Sequence, residues 1–181
     1  MLADIAWERR IVPDVLAPGL DVVFVGLNPG RASATAGHHF AGPGNHFWRL
    51  LHAAGLTPRQ VAPGEDATLL GLGIGITNAV DRASRGEQDL AWAELVAGGA
   101  RLREKIARFR PRLLAVLGKQ AYRGYAGLPR SAEVPWGLQP RATVPGVREC
   151  LAANPSARGT LPFEVRLAQF REIRELAGRR P

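Results

Sequence analysis

Apolar positions recur along this chain with two periods, and the switches between them mark out its elements. The turn Leu16-Ala17-Pro18-Gly19-Leu20 feeds Asp21-Val22-Val23-Phe24-Val25-Gly26, a short apolar run that predicts a buried strand. Polar loop chemistry follows over 28–44. Phe47, Leu50, Leu51 and Ala54 then fall at helical spacing, predicting a helix over 45–54 that Gly55 stops. Thr57-Pro58 predicts the start of another short helix, with Thr as its cap and Pro in its first turn. A second strand is predicted over 73–80, where Ile74 and Ile76 alternate with smaller residues. Asp89 reads as the cap of a long helix ending near Phe109, with Leu95, Leu102, Ile106 and Phe109 on one face and Pro111 behind it. Leu113-Leu114-Ala115-Val116-Leu117 is a wholly apolar strand, and Gly118 turns the chain into a helix through Tyr122. A further strand is expected over 147–152. Thr160 reads as the cap of a last helix that points Phe163, Leu167, Phe170 and Ile173 inward.

Strands that alternate with helices imply an α/β fold, here a three-layer α/β/α sandwich around a short, mostly parallel central sheet. Ligands of such sheets bind at the carboxyl ends of the strands. Two loops leave strand ends and carry unusual residues, 27–44 and 154–160.

Composition narrows the picture. With 181 residues, 46% of them hydrophobic, the chain suits one domain over 1–181, its first 18 residues forming an arm or a short helix. No apolar run reaches the roughly 18 residues of a membrane span, and residues 1–10 lack the apolar core of a secretory signal, so a cytoplasmic monomer is the expectation. The single cysteine, Cys150, excludes a disulfide framework and a cysteine-held zinc or iron–sulfur site within the chain. His38, His39, His46 and His52 lie close together, but no metal and no cofactor is expected.

The formal net charge of +8 is uneven. Residues 1–100 hold 7 basic and 10 acidic side chains; residues 101–181 hold 17 and 6. A basic half on a small domain suggests a polyanionic partner, most simply nucleic acid. On charge alone a solvated arginine face explains it as well, since all basic residues but Lys105 and Lys119 are arginine.

Known phosphate loops do not account for the glycines. Gly26-x-x-x-Gly30 lacks the third glycine of a dinucleotide fingerprint, and Pro29 removes a backbone donor. Gly118-Lys119-Gln120 lacks the earlier glycine and the Ser/Thr of a Walker A loop.

Six segments instead resemble, in order, the motifs of the mismatch-specific uracil/thymine-DNA glycosylases. They are Gly26-Leu27-Asn28-Pro29-Gly30, the block from Gly37-His38-His39-Phe40 to Trp48, Gly75-Ile76-Thr77-Asn78-Ala79-Val80-Asp81-Arg82, Leu117-Gly118-Lys119-Gln120-Ala121-Tyr122, Trp136-Gly137-Leu138-Gln139-Pro140 and Asn154-Pro155-Ser156-Ala157-Arg158. The resemblance implies a monofunctional enzyme that acts on double-stranded DNA. It would evert uracil, or thymine opposite guanine, or an etheno-type base, then hydrolyse the glycosidic bond and leave an abasic site. A non-catalytic mismatch-binding module on the same scaffold, and an unrelated small-molecule enzyme using the same strand ends, are the alternatives.

The resemblance also assigns roles. Asn28 matches the asparagine that positions the attacking water; by itself it reads as a turn or capping residue. Asp81 is a candidate auxiliary base, or else a partner for Arg82. Leu27, Gly30, His38, Phe40, Thr77 and Asn78 are candidate base-binding residues, with Phe40 as the stacking platform. Part of the family has lysine at the Asn78 position, which leaves its role open. Asn154, Ser156, Ala157, Arg158 and Gly159 match the loop that enters DNA, with Arg158 as the wedge. Lys119 is a candidate backbone contact.

Overall fold

A computed structural model describes residues 6–178. Four strands run parallel: β1 (Val22–Gly26), β2 (Ile74–Asn78), β3 (Leu113–Leu117) and β5 (Arg148–Ala152). A two-residue strand, β4 (Gly137–Leu138), pairs antiparallel to β5, giving the order β2-β1-β3-β5-β4. The helices are α1 (Arg31–Ala36), α2 (Phe47–Ala53), α3 (Trp92–Phe109), α4 (Lys119–Ala126) and α5 (Phe163–Leu176). The α/β sandwich expected from the alternating pattern is therefore present.

The strand pleat divides the core. Side chains of Phe24, Ile74, Ile76, Leu113, Ala115 and Cys150 meet α2 and α5 on one face. Those of Val23, Val25, Leu114, Val116 and Leu151 meet α3 and α4 on the other. All are buried, which is why the strands read as apolar runs rather than alternations. Against the second face, α3 and α4 touch backbone to backbone. A Cβ on Gly99 would collide with the Gly124 carbonyl, and one on Gly124 would lie 2.7 Å from the Leu95 carbonyl oxygen.

Four local expectations change. The loop over 28–44 contains α1, whose segment Arg31-Ala32-Ser33-Ala34-Thr35-Ala36 has no apolar stripe to signal a helix. Its Ala34 packs against Trp7 and Ala83. No helix starts at Thr57-Pro58. Pro63 interrupts the segment and opens a 3-10 helix, Pro63–Leu72, instead. At α3 the carboxylate of Glu94, not Asp89, accepts from the N-terminal amide of Ala91 at 2.9 Å; Asp89 takes the amide of Arg85. At α5 the flanking residue is Pro162 in an extended conformation, so the helix begins beyond Thr160. The predicted arm falls partly in residues 1–5, which lie outside the described residues. Its remainder forms a 3-10 turn, Ala6–Arg9, and bridges Val15 to Ile76 at the sheet edge.

Candidate active site

In-register pairing of parallel strands ends them flush. Gly26 lies beside Asn78, and Leu117 beside Ala152. The loops leaving these ends surround a cleft of about 740 Å³, within the range of ligand sites. Both loops singled out in the sequence line it: Leu27, Asn28 and Gly30 from one, Asn154 and Ser156 to Gly159 from the other. The loop after β2, from Ser84 to Gln88, forms a third wall.

Asn28 sits half-buried at the mouth of β1. Its Nδ2 donates to the Arg82 carbonyl at 2.9 Å and to Ser84 Oγ at 2.8 Å, with a longer 3.3 Å approach to the Pro29 carbonyl. A carbonyl can only accept, so this nitrogen is fixed as the donor end of the amide. Oδ1 is thereby left for the cleft and has no hydrogen-bond donor among the described residues. Ser84 is held in turn, its Oγ donating to the Gly86 carbonyl at 2.8 Å and its amide to the Pro29 carbonyl at 3.0 Å. An exposed pair, Arg82 to Glu94 at 2.8 Å, anchors the same segment and holds the Glu94 carboxyl down at about 2. Asn28 Oδ1 is thus a fixed acceptor, on an amide with no useful acid or base strength near neutral pH.

Gly26 and Asn78 form the floor. The Asn78 Oδ1 occupies the space beside Gly26 where a Cβ would stand, only 2.6 Å from that position, and the Phe40 ring edge lies 3.2 Å from it. Any side chain at 26 would displace both groups. Phe40 is partly exposed to the cleft, stacks on Phe47 with centroids 4.1 Å apart, and holds a left-handed backbone (φ 51°) that non-glycine residues seldom adopt. Gly30 is extended (φ −78°), with nothing within 4 Å of a Cβ placed on it. A positive-φ turn therefore does not explain this glycine, and its cleft side is open.

His39, rather than its neighbour His38, lines the cleft. It is 2% exposed, and burial lowers its pKa below the ordinary 6.5. Nε2 lies 2.9 Å from the Pro13 carbonyl and Nδ1 3.4 Å from Asn78 Nδ2. His38 points away, to the Asp66 carboxylate at 3.2 Å.

Three other candidates also stand outside the cleft. Thr77 precedes Asn78 by one residue, so the pleat turns it to the opposite face of β2. There its hydroxyl donates to Asp14 at 2.6 Å and accepts from Lys105 at 3.1 Å. Asp81 is exposed and absent from the cleft wall, and Arg82 pairs with Glu94 instead. Lys119 lines a smaller adjoining pocket, its ammonium 5.0 Å from the centre of the Trp136 ring.

The loop opposite Asn28 is braced from within. Asn154 Oδ1 accepts the Ser156 amide at 2.9 Å, and Ser156 Oγ accepts the Arg158 amide at 3.3 Å. Below them Arg166, 3% exposed, donates to the Ser156 carbonyl at 3.0 Å and to the Gly159 carbonyl at 2.7 Å. Among the described residues no carboxylate pairs with this guanidinium. Burial lowers its pKa, and its charge favours an anion above the loop. Arg158 is exposed and crosses the cleft mouth to the Arg85 carbonyl at 3.0 Å. An acceptor fixed at a strand end, an aromatic face and a basic loop facing them suit an extruded base with its phosphates.

Comparison with known families agrees. A model described as the uracil DNA glycosylase superfamily matches residues 13–175. The chain belongs to the uracil DNA glycosylase superfamily. Its members are DNA glycosylases, hydrolases of N-glycosyl bonds that act on uracil in DNA.

Sequence reasoning missed the Arg82 carbonyl as an acceptor for Asn28, and it missed Ser84 and Arg166. Ser84 is 56 residues from Asn28, and nothing in its neighbours marks it. Only its position after a parallel strand end could have drawn attention to it. Arg166 lies on the inward face of an amphipathic helix, where an arginine reads as an exception rather than a brace.

Proposed function

We propose that this protein is a monofunctional glycosylase that excises uracil, with thymine and etheno-type bases as further substrates, opposite guanine in double-stranded DNA. The observation that carries the reading is the tether on Asn28. With its nitrogen held by Arg82 and Ser84, its oxygen can accept a hydrogen bond from one water and hold that water against C1′ of an everted nucleotide.

Phe40 supports the base face, in a stacking contact worth roughly 1–3 kcal/mol. Asn78 meets the base edge. The glycosidic bond breaks toward an oxocarbenium-like sugar and an anionic base. The water oxygen then bonds to C1′, and the proton it loses passes through solvent to the departed base anion, leaving an abasic site and the neutral base. Asn28 is too weak a base to take that proton early, so bond breaking precedes deprotonation and the enzyme is slow. Asn154, Ser156 and Gly159 meet the flanking phosphates, and Arg158 leaves Arg85 to fill the gap in the stack. Asp81, exposed outside the cleft, has no part in this scheme.

Mismatch preference follows from the size of the cleft. A space of about 740 Å³ does not grip one pyrimidine on every side. Selection then falls on how readily the base leaves the duplex, an advantage of a few kcal/mol for a mispair. Single-turnover excision from G·U, A·U and single-stranded uracil tests this. Cleavage of G·U at least tenfold faster than A·U is expected. Equal rates overturn the mismatch reading, and tight G·U binding with no abasic product would favour a binding-only module.

A further inference from the structure

We propose that Trp7 is a positioning residue for excision: from outside the cleft it clamps the chain at Ala83 and so holds the Ser84 end of the Asn28 tether. The proposal rests on the glycosylase reading of the cleft and extends it to a segment that lies outside the cleft wall.

The two acceptors that lie across the loops from Asn28 Nδ2 are two residues apart, and they are held differently. Arg82, whose carbonyl takes one bond, is fixed by its own side chain. Its guanidinium donates to the Glu94 carboxylate at 2.8 and 3.0 Å and to the Asp89 carbonyl at 2.9 Å. Ser84, whose hydroxyl takes the other bond, is held by the Gly86 carbonyl two residues on and by the Pro29 carbonyl next to Asn28 itself. Both of these stay within the cleft loops. Ala83, between the two acceptors, supplies a link to the rest of the molecule. It is 0% exposed and packs with Trp7 and Ala34 in a small cluster apart from both faces of the sheet.

Ala34 brings α1 into the same grip. With six residues, no side-chain cap and no apolar stripe, α1 is too short to hold itself and depends on what packs against it. Gly30 at its start bridges Ser84, and Arg31, Ala32 and Ser33 line the cleft. Near its other end the Thr35 carbonyl accepts from Arg10 Nη1 at 3.0 Å. The indole of Trp7, 6% exposed, is the one large side chain of the cluster. It presses together the two segments that meet at the Gly30–Ser84 bridge.

Trp7 has a fixed base from which to press. Residues 13–15 are bound to the edge of the sheet. Val15 and Ile76 exchange backbone hydrogen bonds at 2.9 and 2.8 Å, and Asp14 accepts from Thr77 and pairs with Lys105, each at 2.6 Å. The 3-10 turn Ala6–Arg9, closed by the Arg10 amide on the Trp7 carbonyl at 3.1 Å, carries the indole from that anchor to Ala83. Without the indole Ala83 loses its cover, Ser84 rocks within its short loop, and Asn28 Oδ1 no longer holds one position.

A double-mutant cycle on the full chain with a G·U duplex tests the clamp. Trp7→Ala should slow single-turnover excision about tenfold, the worth of roughly one hydrogen bond, with duplex affinity within about twofold of wild type. Trp7→Phe, which keeps a ring over Ala83, should recover most of the rate. Ser84→Ala removes the hydroxyl that Trp7 positions, so adding Trp7→Ala to it should slow excision by less than about twofold. A further loss of about tenfold in that background, as independent packing would give, overturns the proposal. So does an unchanged rate in Trp7→Ala, or a fall in affinity that matches the fall in rate. Should Trp7→Ala not fold, the cycle is run with Trp7→Leu and the same additivity decides. A second readout needs no turnover. In ¹H–¹⁵N spectra of the free protein, the Asn28 side-chain amide signals should move toward those of an unbonded amide in Trp7→Ala and stay in place in Trp7→Phe. No movement in Trp7→Ala overturns the proposal. Were wild type to give no abasic product, the glycosylase reading would fail, and these spectra would still decide the clamp.

Discussion

Replacing Ser84 by alanine isolates the tether on Asn28 without touching Asn28. Ser84 is 4% exposed, so the change is small and internal. It removes the 2.8 Å acceptor for Asn28 Nδ2 and the 2.8 Å bond to the Gly86 carbonyl. Asn28 keeps the Arg82 carbonyl at 2.9 Å and the long contact to Pro29. A typical hydrogen bond contributes about 1 kcal/mol net, and a buried donor left unpaired costs about 1–3 kcal/mol. If that energy holds Oδ1 on the attacking water, its loss raises the barrier by the same amount. At about 1.4 kcal/mol per tenfold, the single-turnover rate on a G·U duplex should fall between about 5-fold and about 140-fold. Duplex affinity should stay within about twofold, since Ser84 is buried behind Asn28. The assay is rapid-quench excision with saturating enzyme, paired with fluorescence anisotropy for binding. An unchanged rate would refute the claim that the Ser84 bond orients Asn28. A loss of affinity as large as the loss of rate would mean that the 84–88 loop had collapsed.

Other outcomes follow from the packing and the charges. Gly99→Ala forces a methyl into the Gly124 carbonyl at the α3–α4 crossing and should cost about 3 kcal/mol or more in a urea melt. Glu149, 1% exposed, accepts from the Tyr122 and Tyr125 hydroxyls, the Thr143 amide and hydroxyl and the Val144 amide; Glu149→Gln turns an NH2 group on these donors and should cost about 3 kcal/mol by the same melt. The folded His39 has its pKa below 6.5, so the unfolded chain takes the proton first. Its contribution is full above pH 6.5 and is lost as pH falls below that value, so the melting temperature should drop on acidification, and less so in His39→Gln. The Glu94 carboxyl, held at about 2 against an ordinary 4.5, adds a second loss only below about pH 4.5, which Glu94→Gln should remove.

The buried strands and the long helix were legible because their apolar periods are long and uninterrupted. Leu113–Leu117 and the Leu95, Leu102, Ile106 face of α3 are examples. α1 was not legible, because a helix of small and polar residues packs through Ala34 and Ser33 and leaves no stripe. β4 was missed because two residues on an edge carry no period at all. Within the site, Leu27, Asn28, Gly30, Phe40, Asn78 and the 154–159 loop do gather around one cleft. Thr77 does not, and the two-residue period of a strand explains why an adjacent pair cannot share a wall. His38 and His39 were equivalent as letters; only the Pro13 carbonyl and the Asp66 carboxylate distinguish the inward ring from the outward one. Long-range partners such as Ser84 and Arg166 depend on the closing of loops from distant segments, which no local pattern encodes.

The central claim is that Asn28 holds the attacking water, and Asn28→Ala on a labelled G·U duplex tests it most directly. Alkali after incubation reveals an abasic site as a strand break at the uracil position. Wild type should give that break. The variant should lose at least about a hundredfold in single-turnover rate while binding the same duplex with affinity within about threefold of wild type. Excision by Asn28→Ala at the wild-type rate would contradict the account.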